Sequence, residues 1–165
     1  MNLIIRRKGF TLLELLIVIV IVAVLLGLVL PFASDLTSKR AIENAVIQIQ
    51  QDLLLLQNLS ITHSTNDKFK ITFLDNYSYK FEKDESGSNV VVRKPPLDVQ
   101  IYDIKVNGVS VSFPQTFNFD SVGRFIYLAN LQPCSAEIYL QLSSGVKQEK
   151  IVISPIGRVE VVVIK

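Results

Sequence analysis

From Gly9 to Ser38 the chain has no lysine, arginine or histidine, and from residue 10 to residue 32 Thr11 and Glu14 carry the only polar side chains. Cysteine and histidine are scarce as well, with Cys134 and His63 the sole examples. A lone cysteine excludes an internal disulfide, so folding must rest on packing. One residue of each kind also excludes a zinc site of the His and Cys type. Cys134 reads as a small buried hydrophobe, and His63 as a solvated residue at the polar end of a helix. No Walker loop, dinucleotide fingerprint or nucleophile elbow occurs, nor any internal repeat or low-complexity tract. Asp84 and Glu85 sit in a polar turn with no specific metal-ligand spacing, so a solvated tip is the expectation there. No catalytic constellation, cofactor site or metal site is read, and the chain is read as a non-enzyme.

Charge is modest. Lys and Arg total 17 against 15 acids, and setting aside Arg6, Arg7 and Lys8 leaves 14 against 15. A balance so close to neutral gives no general attraction for nucleic acid. The 165 residues leave room for one membrane segment and one domain.

What the chain does have is an apolar run directly after a basic start. Residues 10–32 are long enough to cross a bilayer, which takes about 20 residues. The flanking cations, Arg6, Arg7 and Lys8 before it and none until Lys39 after it, place the N-terminus in the cytoplasm and the remainder outside. A secretory signal peptide is a poor rival, since its apolar core is shorter, about 7 to 15 residues, and ends in a small-x-small site. An ordinary membrane anchor fits the length but leaves Glu14 without a purpose. A carboxylate near a helix centre in lipid costs about 2.5 to 3.5 kcal/mol on insertion scales and calls for a partner. A cut between Gly9 and Phe10 would supply one, because the new amine on Phe10 lies one helical turn before Glu14. The amine could equally meet Glu14 of a neighbouring subunit and set axial register.

After Pro31 the spacing of Ile42, Ala45, Val46, Ile49, Leu53, Leu56 and Leu59 is that of an amphipathic helix. Glu43, Asn44, Gln50, Gln51, Asp52 and Gln57 are assigned to the opposite, polar face. A helix from residue 10 to about 61 would be roughly 78 Å long at 1.5 Å per residue, with Pro31 kinking it rather than ending it. From residue 69 the period shifts toward two. Strands are expected at 69–73, 77–81, 90–93, 117–119, 125–127, 137–142, 150–154 and 159–164. Pro95 and Pro96 mark a break, and Asn107-Gly108 marks a hairpin with positive φ at both positions. Turns fall at 143–145 and 155–157. The fold class is therefore α+β, a long N-terminal helix packed on an antiparallel sheet or sandwich. Its parts are a leader at 1–9, a transmembrane and assembly helix at 10–32, the amphipathic half at 33–62 and an extracytoplasmic β domain at 63–165.

The basic leader, Gly9, Phe10-Thr11-Leu12-Leu13-Glu14 and the apolar helix resemble the class III signal of type IV pilins and of the pseudopilins of type II secretion, a family that commonly has a kinking proline where Pro31 stands. A second resemblance lies downstream. Residues 117–124, Phe-Asn-Phe-Asp-Ser-Val-Gly-Arg, and 151–159, ending in Gly157-Arg158-Val159, are similar to the C-terminal half of the GspH/FimT family of minor pseudopilins and minor pilins.

The resemblance implies a membrane prepilin peptidase that cuts after Gly9 and methylates the amine of Phe10. It implies a single-pass inner-membrane protein with its C-terminal domain in the periplasm, lifted by an inner-membrane assembly platform into a short filament. The other implied partners are major and minor pseudopilins and a secreted protein substrate. In major pseudopilins a loop binds calcium, and Asp84 and Glu85 are the residues that could do so weakly here. The expected function is that of a minor pseudopilin at the filament tip of a type II secretion system. The alternative is a FimT or competence-type minor pilin of a type IV pilus or of DNA uptake. Some FimT-like proteins carry a Gly-Arg-x-Arg run, and here Glu160 stands where the second arginine would be. Lys147, Lys150, Arg158 and Lys165 are left as a small candidate patch for DNA or a partner, and phosphate binding scales with the cations engaged.

Overall fold

The computed structural model describes residues 11–64, 68–82, 90–95, 99–145 and 147–164, and within the helix the side chains of residues 28–35 and 38 lie outside the description. The chain divides into two compact units, residues 1–37 and 38–165.

One helix, α1, runs Leu12–His63 and its backbone continues through Pro31. It starts where Thr11 caps it and stops at Ser64, whose φ of 51° turns the chain into the left-handed region while its N–H still reaches the Ile61 carbonyl. In the first unit the described side chains from Leu12 to Gly27 are all exposed.

In the second unit, α1 presents Ile42, Ala45, Val46, Ile49, Leu53 and Leu56 to a core shared with two sheets. That stripe follows the three-and-four spacing because only one face of a helix meets a neighbouring layer. Eleven strands follow, β1 Lys70–Asp75, β2 Ser78–Glu82, β3 Val90–Arg93, β4 Val99–Val106, β5 Val109–Ser110, β6 Gln115–Phe119, β7 Phe125–Tyr127, β8 Gln132–Pro133, β9 Ala136–Leu142, β10 Gln148–Ile153 and β11 Val159–Ile164. They form a six-stranded sheet in the order β3-β2-β1-β6-β7-β8 and a five-stranded sheet in the order β11-β10-β9-β4-β5, with every pairing antiparallel. The first sheet contributes an aromatic cluster, with Phe117 stacked on Phe125 at 5.0 Å between centroids and Phe73 edge-on to Phe117 at 6.2 Å. The second contributes aliphatics, Ile101, Ile104, Ile138, Leu140, Ile151 and Ile153, all fully buried. The architecture is α+β, as the change of period indicates.

One expectation needs correction, and one long strand was not expected. Asp52 and Gln57 do not lie on a solvated face. Asp52 is only 5% exposed, and Gln57 is half-buried against two turns. A long polar side chain at the margin of an apolar stripe reaches a partner across the boundary, and polarity alone cannot distinguish that from solvation. The strand not expected is β4, Val99–Val106. A register shift between Ile101 and Asp103 moves the buried positions from 99 and 101 to 104 and 106, so simple alternation fails across it.

Candidate functional site

The N-terminus of α1 is built as a reciprocal cap. The Thr11 N–H donates to Glu14 Oε2 at 2.9 Å, the Thr11 hydroxyl donates to the same oxygen at 3.1 Å, and the Glu14 N–H donates to Thr11 Oγ1 at 3.2 Å. This is a capping box of the Ser/Thr-x-x-Glu type, in which each side chain satisfies a backbone donor that the helix leaves open. The carboxylate also sits at the positive end of the helix dipole. The signal was present in Thr11-Leu12-Leu13-Glu14, and reading Glu14 only as a lipid-exposed acid overlooks it. Beyond the cap, apolar side chains stand 47% to 82% exposed from Leu12 to Leu26. Among the described residues no helix is long and apolar enough to cross a membrane. The described side chains of this run stop at Gly27.

Residues 4–30 match the family model of the prokaryotic N-terminal methylation motif. No curated protein and no solved structure matches the chain. The motif supports a prepilin-type, type IV pilin-like protein with a membrane-anchored N-terminus, and it implies processing by prepilin peptidase and pilus-type assembly partners. Proteins bearing it are structural rather than enzymatic. Gly9 and Phe10, which flank the expected cut, lie outside the described residues, as do the leader 1–9, the Asp84-Glu85 turn and Lys165. Pro31 is helical in its backbone, and its side chain is outside the description.

The two Gly-Arg motifs downstream prove to be the same structure made twice. In each, a three-residue loop ends in a glycine at positive φ, Gly123 at 86° and Gly157 at 83°. The first residue of each loop frame is bonded twice to the far side. Asp120 accepts from Gly123 N–H at 2.9 Å and donates to the Arg124 carbonyl at 3.0 Å, while Ser154 does the same with Gly157 and Arg158 at 2.9 and 2.9 Å. The pattern is a type I turn closed by a glycine bulge, for which a left-handed residue is required at that position. Side-chain oxygens reinforce both, since Asp120 Oδ1 accepts from Arg124 N–H at 2.8 Å and Ser154 Oγ accepts from Arg158 N–H at 3.0 Å.

These turns belong to different sheets, and Gln57 joins them. Its Nε2 donates to the Gly123 carbonyl and to the Gly157 carbonyl, each at 2.9 Å. A further bond from Phe125 N–H to the Pro155 carbonyl, 3.2 Å, ties the sheets at the same end. The approach is so close that a Cβ on Gly157 would meet the Gly123 oxygen at 1.9 Å and Gln57 Nε2 at 2.3 Å. The glycines therefore serve packing as well as backbone conformation. Sequence reasoning found the Gly-Arg pairs but missed Gln57, because nothing local marks it.

Among the described residues, each of the three cations of the candidate patch is held by a carboxylate. Lys147 bonds Glu43 of α1 at 3.1 Å and Glu149 at 3.0 Å, Lys150 bonds Glu137 at 2.9 Å, and Arg158 bonds Glu160 at 2.6 Å. Alternation along β10 puts Lys147 with Glu149 on the helix-facing side and Lys150 on the other. Hydrogen bonds from Tyr139 and Lys150 hold the Glu137 carboxyl below its ordinary range. The bond to Glu137 raises the Lys150 ammonium. For Lys147, partial burial works against the charge, and the bonds to Glu149 and Glu43 outweigh it and raise the pKa. Among the described residues no group of three or more His, Cys, Asp or Glu stands close enough to hold a metal. Burial alone pushes the Cys134 thiol up to about 11, which keeps it protonated and unreactive at neutral pH.

Proposed function

We propose that the protein is a minor pseudopilin of the GspH type, a non-enzymatic subunit at or near the tip of a type II secretion pseudopilus. The N-terminal methylation motif on residues 4–30 carries this reading. In it, residues 1–9 are a leader, prepilin peptidase cuts after Gly9 and methylates Phe10, and residues 10–32 anchor the subunit in the inner membrane with the β domain in the periplasm. The same helix then packs in the filament, against major and other minor pseudopilins delivered by the assembly platform. Contact with secreted substrate falls to the β domain. Association in lipid has no hydrophobic drive between helices, so polar contacts must give it specificity. The Thr11 cap already fixes the Glu14 carboxylate at the head of α1. Cleavage would add the Phe10 amine beside it, in place for Glu14 of its own or a neighbouring chain. The tip position rests on the paired Gly-Arg turns, which are the GspH-like feature of the β domain. A nucleic-acid role draws no support from Lys147, Lys150 and Arg158, each held by a carboxylate.

N-terminal sequencing and mass spectrometry of the protein extracted from membranes test the reading directly. The expected terminus is N-methylated Phe10, and a mature terminus elsewhere would overturn it. For the register role, Glu14→Ala should be cleaved normally yet fail to enter filaments beside the parent subunit. Entry at the parental level would remove Glu14 from assembly.

A further inference from the structure

β11 is the outermost strand of the five-stranded sheet, with β10 on one side. The phase of its ladder follows from the turn that precedes it. Ser154 donates to the Arg158 carbonyl, so that pair is hydrogen-bonded. Bonded and non-bonded pairs alternate in an antiparallel ladder, so the pairs Ile153 with Val159, Ile151 with Val161 and Glu149 with Val163 are non-bonded. The main-chain N–H and C=O groups of Val159, Val161 and Val163 therefore point away from β10, out of the sheet. The neighbouring ladder agrees, since Leu142 N–H donates to the Lys147 carbonyl, which turns the groups of Glu149 and Ile151 toward β9.

Proteins usually blunt such edges with short strands, proline or charge. β5 and β8 have two residues each, and Pro133 lies in β8. β11 has six residues, all apolar but Glu160. Its core-facing side is also uncovered. Val161 and Val163 lie opposite Ile151 and Glu149, both buried, yet are 38% and 61% exposed. With Val46 and Ile47 of α1 they wall an open groove of about 510 Å³. Among its described lining residues, Glu43 and the buried Glu149 share the ammonium of Lys147, one more carboxylate than ammonium.

We propose that the β11 edge and this groove form a strand-addition site for an extended segment of a partner protein. The added strand pairs with the outward main-chain groups of Val161 and Val163. It lays alternate apolar side chains over Val46, Ile47, Val161 and Val163, and it presents one Lys or Arg to Glu43 and Glu149. Main-chain bonds supply affinity and the alternate side chains supply selectivity in such contacts. The inference does not depend on the pseudopilin reading.

The test uses the full chain in detergent micelles, with residue-resolved amide exchange as readout. The probe is the capped peptide acetyl-Val-Thr-Val-Thr-Lys-Thr-amide, whose two valines and lysine share one face when extended. At about 1 mM peptide, exchange at Val161 and Val163 should slow by about tenfold or more, with less change at Glu160 and Val162, which already bond β10. A peptide N-methylated at alternate residues should give no protection, and a Lys-to-Glu peptide should bind about tenfold more weakly. Val161→Pro, tolerated where an edge N–H faces solvent, should abolish the effect at an unchanged unfolding midpoint. Val163→Lys should do so by repelling the peptide lysine. Absence of protection in the parent chain overturns the proposal. Equal protection by the N-methylated peptide also overturns it, as does protection that grows with protein concentration and no peptide, since the occupant would then be a second copy.

Discussion

Gly157 stands where one turn from each sheet and Gln57 of α1 meet. Any side chain there would meet the Gly123 carbonyl and the Gln57 amide at once, at a φ of 83°. Left-handed strain for a residue other than glycine is about 1 to 2 kcal/mol, and loss of bonds to buried carbonyls adds about 1 to 3 kcal/mol. Gly157→Ala should therefore destabilise by about 3 kcal/mol or more in denaturant unfolding. Gly145→Ala is the internal control, because its φ is 72° with open space around the position, and it should show the backbone strain alone. Equal costs for the two would mean that the contact with Gly123 is unimportant. Asp120 offers a pH test at the companion turn. Burial works to raise its pKa, but bonds from the Arg124 backbone and guanidinium and from Val122 prevail and lower it. A lowered folded pKa means that the stabilisation is complete above the unfolded value of about 3.9 and drains as pH falls below it. Asp120→Asn should flatten that acid limb of the stability profile, and an unchanged limb would show that other carboxylates carry it. The glycines were legible in the sequence and their clamp was not. A bond between residues 57 and 157 leaves no local trace.

At the scale of elements, the attachment of α1 to the first sheet depends on polar as well as apolar contacts. Asp52, buried in α1, accepts from the Tyr79 hydroxyl of β2 at 2.9 Å and pairs with Arg93 Nε of β3 at 3.4 Å. The Arg93 guanidinium in turn lies 5.6 Å from the centre of the Phe81 ring. Desolvation first, and then the Asp52 charge, push the Tyr79 hydroxyl far above its usual range, so it remains a donor at any ordinary pH. A hydrogen bond to a charged acceptor contributes about 1.5 to 3 kcal/mol. Tyr79→Phe should cost that much and leave ring packing intact, while Phe73, 5.7 Å away, keeps its neighbour. A cost near zero would show that solvent replaces the bond. The apolar stripe of α1 and most strands could be read from spacing, because burial imposes a period on whichever side chains face the core. Asp52 could not be read so, since a charge enters a core only where partners from distant strands await it. β4 escaped for a different reason, its bulge at Tyr102 having shifted the parity of the buried positions.

For the whole molecule, the decisive feature is the contrast between its two units. In residues 11–27 the apolar side chains are exposed to a degree that a water-soluble surface does not sustain over so long a run. From Ser38 onward α1 and both sheets share one core. That core includes α1 from Ile42 to Leu56, so a boundary drawn at the end of the helix would remove one wall of the domain. A chain starting at Ser38 should accordingly fold alone, run as a monomer in dilute detergent-free buffer and unfold in a single cooperative transition. A chain starting at Ser64 should not fold, because it lacks the side chains from Ile42 to Leu56 that α1 gives to the core shared with both sheets. Size-exclusion chromatography and circular dichroism distinguish these outcomes. The cost of Tyr79→Phe provides the quantitative check. Independent units add their energies to within about 0.5 kcal/mol, so the cost in the shortened chain should equal that in the full chain held in micelles. A larger cost in either form would mean that residues before Ser38 contribute to the core and that the two units do not fold independently.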